Sequence, residues 1–303
     1  MPISAIPLPR PVLYDLWHRA RRPGLVRWVG DVDVVHATDA VVPPAGSAAL
    51  VATVHDLAFL NRPSQSTARG FRLAIRGFEL ARDEATLITV PSAATKAACV
   101  AAGVDPTRLR IIPWGCRPAA VTDADRARVR DRYNLPSRFI LWVGTLEPRK
   151  NLAGLLHAHR AVPGVALVVV GPEGWGDVDV SSSDRVLRLG AVPAADLAPL
   201  YDLATVFTLP SHAEGFGMPV LDAMAQGAAV VTSSGTATEE VVGDAGVTVA
   251  PDDADALAGA LTSLLADEAA RTRLGAAARA RAAGFTWQHT GALLADVYRE
   301  TVA

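Results

Sequence analysis

The chain has 303 residues, half of them apolar and a fifth charged, and its 29 Lys and Arg against 31 Asp and Glu give a formal charge of -2. That length suits roughly two domains, the apolar share excludes a disordered tail protein, and the charge balance gives no whole-chain attraction to nucleic acid. The two cysteines, Cys99 and Cys116, are too few for a disulfide framework or a cysteine-rich zinc site, and they fit a reducing compartment.

No apolar run approaches the roughly 18 residues of a membrane span. The N-terminal MPISAIPLPRPVLYDLWHRARR lacks the basic-then-apolar order of a secretory signal. A cytoplasmic location is expected, with attachment to the inner face of a membrane left open.

Short apolar strands alternate with amphipathic helical stretches, the pattern of an α/β protein with parallel sheets. In the first half, strands are expected at Val32–His36, Ala49–Val54, Leu87–Val90 and Arg110–Ile112. A helix is expected over Ala68–Glu84, and Ser92 caps the start of another. From Trp114 to Arg138 the chain is punctuated by Pro113, Gly115, Pro118 and Pro136 around a charged helix, Asp123–Tyr133, and reads as the passage between two domains. The second half gives strands at Phe139–Val143, Ala166–Val170, Val186–Leu189, Val206–Leu209 and Ala229–Thr232. Its helices are expected at Asn151–Val162, Asp196–Leu203 and Pro219–Gln226. Asp253–Ala283 reads as one or two helices, and the last helix as Gln288 to Thr301.

In open parallel sheets ligands sit beyond the carboxyl ends of the strands, so chemistry is sought in the loops there. The richest is Ser211-His212-Ala213-Glu214-Gly215-Phe216-Gly217-Met218-Pro219, which follows one strand and opens a helix. Glycines let a ligand approach the backbone, and the free amides of a helix start attract an anion. Glu214 and, eight residues on, Asp222 suit the hydroxyls of a polar ligand; a glycine-rich turn with solvated carboxylates is the alternative. Gly144-Thr145-Leu146-Glu147-Pro148-Arg149-Lys150-Asn151 follows another strand, and its adjacent cations can neutralise a diphosphate. By themselves they equally suit an exposed turn. Val54-His55-Asp56 ends a strand of the first half, where a His–Asp pair can polarise a hydroxyl or be purely structural; His36 is a weaker candidate. Arg69, Arg72 and Arg76 share one face of the Ala68–Glu84 helix. An ordinary helix packed on the sheet is the preferred reading there, and contact with anionic lipid the other. Gly171-Pro172-Glu173-Gly174-Trp175-Gly176 lacks the spacing of a dinucleotide fingerprint. Asp31-Val32-Asp33 reads as a solvated strand start rather than a metal site.

Asp33–Thr38, Thr53–Leu57, Ile88–Ser92 and Arg110–Gly115 resemble the N-terminal domain of retaining GT-B glycosyltransferases of family 4. Val143–Leu152 and the stretch from Glu214-Gly215-Phe216-Gly217 onwards resemble that family's donor-binding domain. The resemblance covers nearly the whole chain and is closest to mannosyltransferase-like members. It implies two Rossmann-like domains with parallel sheets facing across a cleft: an acceptor-side domain at 1–118, a nucleotide-sugar donor domain at 119–286, and a terminal helix, 287–303, packing back on the first. Family members begin with a strand, a Gly-rich loop and a helix that find no match ahead of His36. The first domain is therefore expected to be incomplete, by truncation or loss, with an exposed sheet edge.

The same resemblance implies the roles. Glu214 contacts the donor sugar. Arg149, Lys150, Gly215, Phe216 and Gly217 hold the diphosphate. Asp222, where the family usually has Glu, holds the ribose, and Val192 lies against the base. Gly144 and Thr145 complete the donor site, and His55 serves the acceptor side near the point of transfer. The implied reaction is metal-independent, retaining transfer of a mannose- or glucose-type hexose from a nucleotide-diphosphate sugar to a saccharide or lipid-linked acceptor, as in polysaccharide biosynthesis. No cofactor and no nucleic acid take part, and a peripheral membrane contact is left open. Two other readings remain: a catalytically impaired donor-binding partner or regulator, and a sugar-nucleotide epimerase, against which Glu214 and Arg149-Lys150 speak.

Overall fold

Strands buried on both faces need apolar side chains at nearly every position, and two sets of such strands organise the chain. The structure, a computed structural model, describes residues 5–61, 67–175 and 184–303; Gly176, in the fingerprint-like segment above, lies outside them. Contacts divide the chain into Met1–Pro113 with Gln288–Ala303, and Trp114–Trp287.

In the first unit β1 (Val34–Ala37), β2 (Ala49–Thr53), β3 (Leu87–Val90) and β4 (Leu109–Ile111) form a parallel sheet in that order. β1 is an edge strand among the described residues. Ahead of it stand three short elements the sequence did not reveal: α1 (Arg10–Asp15), a π-helical turn (Leu16–Ala20) and α2 (Val26–Val29). None of them has a side-chain N-cap, and proline in the first turn of α1 is the one start signal they carry. Leu13 and Trp17 are buried. Arg21, in the left-handed region at φ 51°, donates to the carbonyls of Trp17, Val42 and Pro43 and pairs with Glu84. β2 leads through α3 (Ala58–Asn61) to α4 (Ala68–Glu84), capped by Thr67, and β3 to α5 (Ala93–Ala101), capped by Ser92.

The second unit starts at Trp114, ahead of the boundary expected at Pro118. The reason is close packing: a Cβ on Gly115 would lie 2.2 Å from the Trp287 amide nitrogen, and Cys116 bridges to Thr286. The charged helix, α6 (Asp123–Tyr133), belongs to this unit. Only Val129 on it is buried, so apolar burial is a small part of what holds it. A capping box at Thr122 and ion pairs to Asp196 and Asp202 add to it. β5 (Phe139–Val143) is followed by α7 (Leu152–Ala161), β6 (Ala166–Val170), β7 (Val186–Gly190), α8 (Ala194–Leu203) and β8 (Val206–Leu209). Then come α9 (Met218–Ala225), β9 (Val230–Ser233), α10 (Ala237–Val242) and β10 (Val247–Val249). The six strands are parallel in the order β10-β9-β8-β5-β6-β7. Asp196 on α8, 1 % exposed, takes Arg128, Arg132 and the Tyr133 hydroxyl of α6, and Arg126 grips Asp202.

Asp253–Ala283 resolves into two helices, α11 (Ala254–Ala266) and α12 (Glu268–Ala282), because Asp267 leaves the helical region and caps the second. α13 (Trp287–Val302) joins the first unit from Gln288 on. Its Val297 packs with Val51, Leu87 and Ile112. Tyr298 Oη lies 2.7 Å from His36 Nδ1, while His36 Nε2 reaches Thr53 and Thr53 reaches Thr89, each at 2.7 Å. His36 thus anchors a helix to a sheet.

Gly77 on α4 faces Ala40 so closely that a Cβ would fall 1.9 Å from the Ala40 carbonyl oxygen. Alanine normally gains about 1 kcal/mol over glycine in a helix, but overpacking should reverse the sign here. Gly77→Ala is expected to lower stability by about 1–3 kcal/mol. Gly259→Ala on α11, where a Cβ meets nothing within 4 Å, should raise it by up to about 1 kcal/mol. Urea unfolding of both variants checks the pair.

Candidate functional site

In the second unit the chain runs from β5 outward through β6 to β7, then returns to lay β8 against the other side of β5. Such a reversal of strand order opens a crevice at the carboxyl ends of the two strands. The loops that border it are 144–151, after β5, and 210–217, after β8.

Glu214 lies at their junction, its side chain 6 % exposed. Its Oε1 accepts from Lys150 Nζ at 2.6 Å and from Ser211 Oγ at 2.7 Å, and its Oε2 from Arg149 Nη1 at 3.0 Å. Burial pushes this carboxyl towards its neutral form, but the charges of Lys150 and Arg149 and the bonds from Lys150 and Ser211 outweigh it. The pKa stays below the ordinary value and the group is ionised. Arg149 also donates to Glu147, itself buried, at 2.6 Å. The two cations thus form a charge-balanced quartet with Glu147 and Glu214. A carboxylate has about four lone-pair sites, and these contacts leave Glu214 one on Oε2 for a further hydroxyl donor.

Asn151 fastens the loops together, and sequence reading missed it. It sits at φ 53° and caps α7 through its side-chain oxygen, 3.2 Å from the Gly154 amide. Its side-chain nitrogen donates to the Pro210 carbonyl at 3.0 Å and the Pro251 carbonyl at 2.7 Å. One amide therefore joins the loops after β5, β8 and β10. An asparagine directly after Lys150, where a helix begins, was the available signal. The His212 amide adds a bond to the Arg149 carbonyl at 2.9 Å.

α9 starts at the crevice. Gly217, its N-cap, has φ 103°, and a Cβ there would meet the Thr238 methyl at 2.6 Å, so both backbone and space call for glycine. The Phe216 ring is buried against Trp114 and Phe285, which turns the loop's backbone rather than this side chain to the crevice. Gly144 lies beside Lys150: a Cβ would be 3.7 Å from its Cδ. Thr145 packs near Gly174 of the loop after β6. Val192 follows β7, half-buried against the core of the unit.

Asp222 is on α9, outside the quartet. Its carboxylate has no hydrogen bond or ion pair among the described residues, and burial raises its pKa from 3.8 to about 6. Its charge is felt at Cys116 and at the buried Tyr201 hydroxyl, both pushed up, chiefly by burial. In the first unit His55 Nε2 lies 2.8 Å from the Thr38 carbonyl and so carries the proton, which makes Nδ1 the acceptor of the neutral ring. His55, Asp39 and Asp56 line a cavity of about 190 Å³ with Phe59 and Phe78.

The Asp222 shift has a sign that can be tested. The folded state holds a proton that the unfolded chain releases between about pH 4 and 6. The stability this lends is full below about pH 4 and lost as pH rises through 6. Asp222→Asn should therefore stabilise the protein by about 1–3 kcal/mol at pH 8 and leave it unchanged near pH 4. Denaturant titrations at the two pH values, with carboxyl carbon NMR of the unsubstituted chain, check it.

Comparison with known proteins covers most of the chain. The family model for Glycosyltransferase Family 4 matches residues 1–120, and that for Glycosyl transferases group 1 matches 137–267. O-antigen chain mannosyltransferase B of Escherichia coli is 30% identical over 302 residues, covering 94% of this chain and 79% of that one. The Escherichia coli serotype-specific mannosyltransferase WbdA is 34% identical over 199 residues, 57% of this chain but only 23% of its own length. Among solved structures, Anabaena HepE in complex with UDP and glucose superposes with a TM-score of 0.77 at 20% identity, covering 96% of this chain and 82% of that one. The two parallel α/β units are those of the GT-B fold, and the chain belongs to glycosyltransferase family 4.

Proposed function

We propose that the chain is a retaining hexosyltransferase that moves mannose, with glucose as the alternative, from a nucleoside-diphosphate sugar to a saccharide or lipid-linked acceptor. The observation that carries this reading is Glu214, buried yet ionised between Lys150 and Arg149 at the crevice between β5 and β8. Preference for mannose rests on the likeness to the O-antigen chain mannosyltransferase. The remaining lone pair of Glu214 takes a sugar hydroxyl. Lys150, Arg149 and the amides of Gly215–Gly217 take the charge of the departing diphosphate, so no metal is called for. Asp222, with Val192, receives the nucleoside, its raised pKa falling when ribose hydroxyls donate to it. The C1–O bond to the diphosphate breaks, and the acceptor oxygen bonds to C1 on the same face. Its proton passes to the departing phosphate oxygen. His55 and the cavity beside it serve the acceptor. The setting we propose is the cytoplasm, at the inner membrane face where the acceptor is lipid-linked. Among the described residues no helix is long and apolar enough to cross a membrane.

Calorimetric titration with GDP-mannose, UDP-glucose, GDP and UDP, followed by a transfer assay, tests this. Lys150→Ala should weaken donor binding, and Glu214→Ala should reduce transfer about 100-fold or more. Near-normal turnover by the Glu214 variant overturns its role. Donor binding without transfer to any acceptor would favour the donor-binding partner instead.

Asn151→Asp keeps the α7 cap but cannot donate to Pro210 and Pro251. Transfer should fall about tenfold or more by misplacing Lys150 against Glu214, while Asn151→Ala, which also loses the cap, costs about 1 kcal/mol of stability as well. Steady-state kinetics with thermal melts separates the two effects.

A further inference from the structure

The cavity of about 190 Å³ in the first unit lies where parallel sheets place their ligands, beyond the carboxyl ends of the strands. The loops after β1 and β2 form one side of it and α4 the other. Its lining is graded. Val42, Ala52, Leu57, Phe78 and Ala81 are buried in its depth, Phe59 is half-buried, and half-buried His55 and Asp56 stand with exposed Asp39 at its rim.

A shift of α4 cannot close this cavity. The helix already rests on the loop after β1 at Gly77, where even a Cβ would fall 1.9 Å from the Ala40 carbonyl oxygen. Ala74 and Ala81 flank Gly77 on the same helical face, and both line the cavity with the smallest side chain there is. Room of this kind is costly to keep inside a well-packed core. An apolar cavity of about 150 Å³ is already large enough to bind benzene.

The lining also selects an occupant. A bare hexose carries a hydroxyl on almost every carbon. Each one set against Val42, Phe59 or Phe78 would give up its bonds to water with none in return. The rim has the opposite character. Asp39 accepts from the Ala40 amide at 2.6 Å and Asp56 from the Ala58 amide at 3.0 Å, each through Oδ1. The second oxygen of each carboxylate is left for the hydroxyls of a sugar. A glycoside meets both demands at once, with its sugar at the rim and its aglycone inside.

We infer that this cavity seats a compact apolar aglycone borne by the acceptor, an aromatic or branched group of about five to seven carbons. The aglycone lies against Phe59 and Phe78, and Asp39 and Asp56 hold hydroxyls of the sugar attached to it. The inference rests on the proposed transferase reading for calling this ligand an acceptor. It narrows that acceptor from any saccharide to one with an apolar group next to its sugar. An aryl glycoside and the head of a prenyl chain share this chemistry.

NMR titration of the full chain with the methyl, phenyl and 3-methylbut-2-enyl glycosides of mannose, glucose and galactose tests it. For at least one sugar, the phenyl or butenyl glycoside should bind about tenfold to hundredfold more tightly than the methyl glycoside, the gain from burying an apolar group of that size. Whichever of the two binds more tightly identifies the source. Ala81→Leu should erase the advantage and leave methyl glycoside affinity unchanged. Ala74→Leu, at a half-buried position, makes the same test with less strain on the core, and thermal melts show that each variant is folded. Asp39→Asn should weaken all glycosides of the preferred sugar alike, by about tenfold. Equal affinity within every set, no binding of any glycoside, or an advantage untouched by both leucine variants overturns the inference. Toluene that raises the melting temperature of the unsubstituted chain, with no preference among the glycosides, overturns it in favour of an apolar void that serves no acceptor. The glycosides are titrated without donor, and GDP and UDP are read at the other unit. Loss of the aglycone preference with nucleotide binding intact therefore sinks this inference alone, whereas absent nucleotide binding sinks the transferase reading.

Discussion

A carboxylate removed from water stays ionised only if its charge is answered at hydrogen-bond distance. In this chain Glu214 is answered from 64 residues away by Lys150 at 2.6 Å. That requirement ties the loop after β5 to the loop after β8, and with it the two strands at which the chain reverses direction across the sheet. Removing Glu214 would leave Lys150 as a buried charge without its partner, and removing Lys150 would leave Glu214 with Arg149 as its one cation, so the pair is a constraint on the fold as well as a chemical device. Glu147 and Arg149 extend it to a neutral quartet, and Asn151 fixes the backbone from which both cations project.

Much of this was legible in the sequence for a simple reason. A parallel sheet buried on both faces writes itself as uninterrupted runs such as Phe139–Val143, every residue of which is buried. The caps Ser92 and Asp253 likewise stand in the chain as hydroxyl or carboxylate at a helix start. Glu214 and Lys150 could be placed at the ends of strands, although only a family resemblance said that they act together, because a contact across 64 residues leaves no local pattern.

The parts that were not legible share the opposite property. β10 is three half-buried residues, too short for a period. The N-terminal helical segment has no side-chain N-cap and is held by Arg21 bonding to distant carbonyls, which have no signature in side-chain sequence. α6 was legible as a charged helix in the passage between the units, but its partners were not: its charges close on Asp196 and Asp202 of α8, more than 60 residues on. Asp267, by contrast, was a readable break between α11 and α12: an aspartate before a glutamate inside a long helical pattern is a cap signal. His36 was a weaker candidate. Its place at a strand end suggested chemistry, and the structure gives it Tyr298 and Thr53 as partners.

The neutrality of the quartet bears on how a diphosphate would be held. A site whose cations were unpaired would bind any phosphate strongly and release it slowly. Here Lys150 and Arg149 already share Glu214, so an arriving anion gains only what remains of their field, together with the amides at the start of α9. Charge that builds up on the leaving oxygen during bond breaking then draws both cations more strongly than the ground-state diphosphate does. An interaction that strengthens as the bond breaks is the kind that accelerates a reaction. On this view Glu214 moderates the cations beside it as much as it positions a sugar hydroxyl. Glu214→Gln, which keeps the shape but removes the charge, should then tighten binding of the free nucleoside diphosphate while slowing transfer, an opposition that loss of a sugar contact alone would not produce. Titration of GDP and UDP into that variant, beside its turnover, reads both sides of the argument.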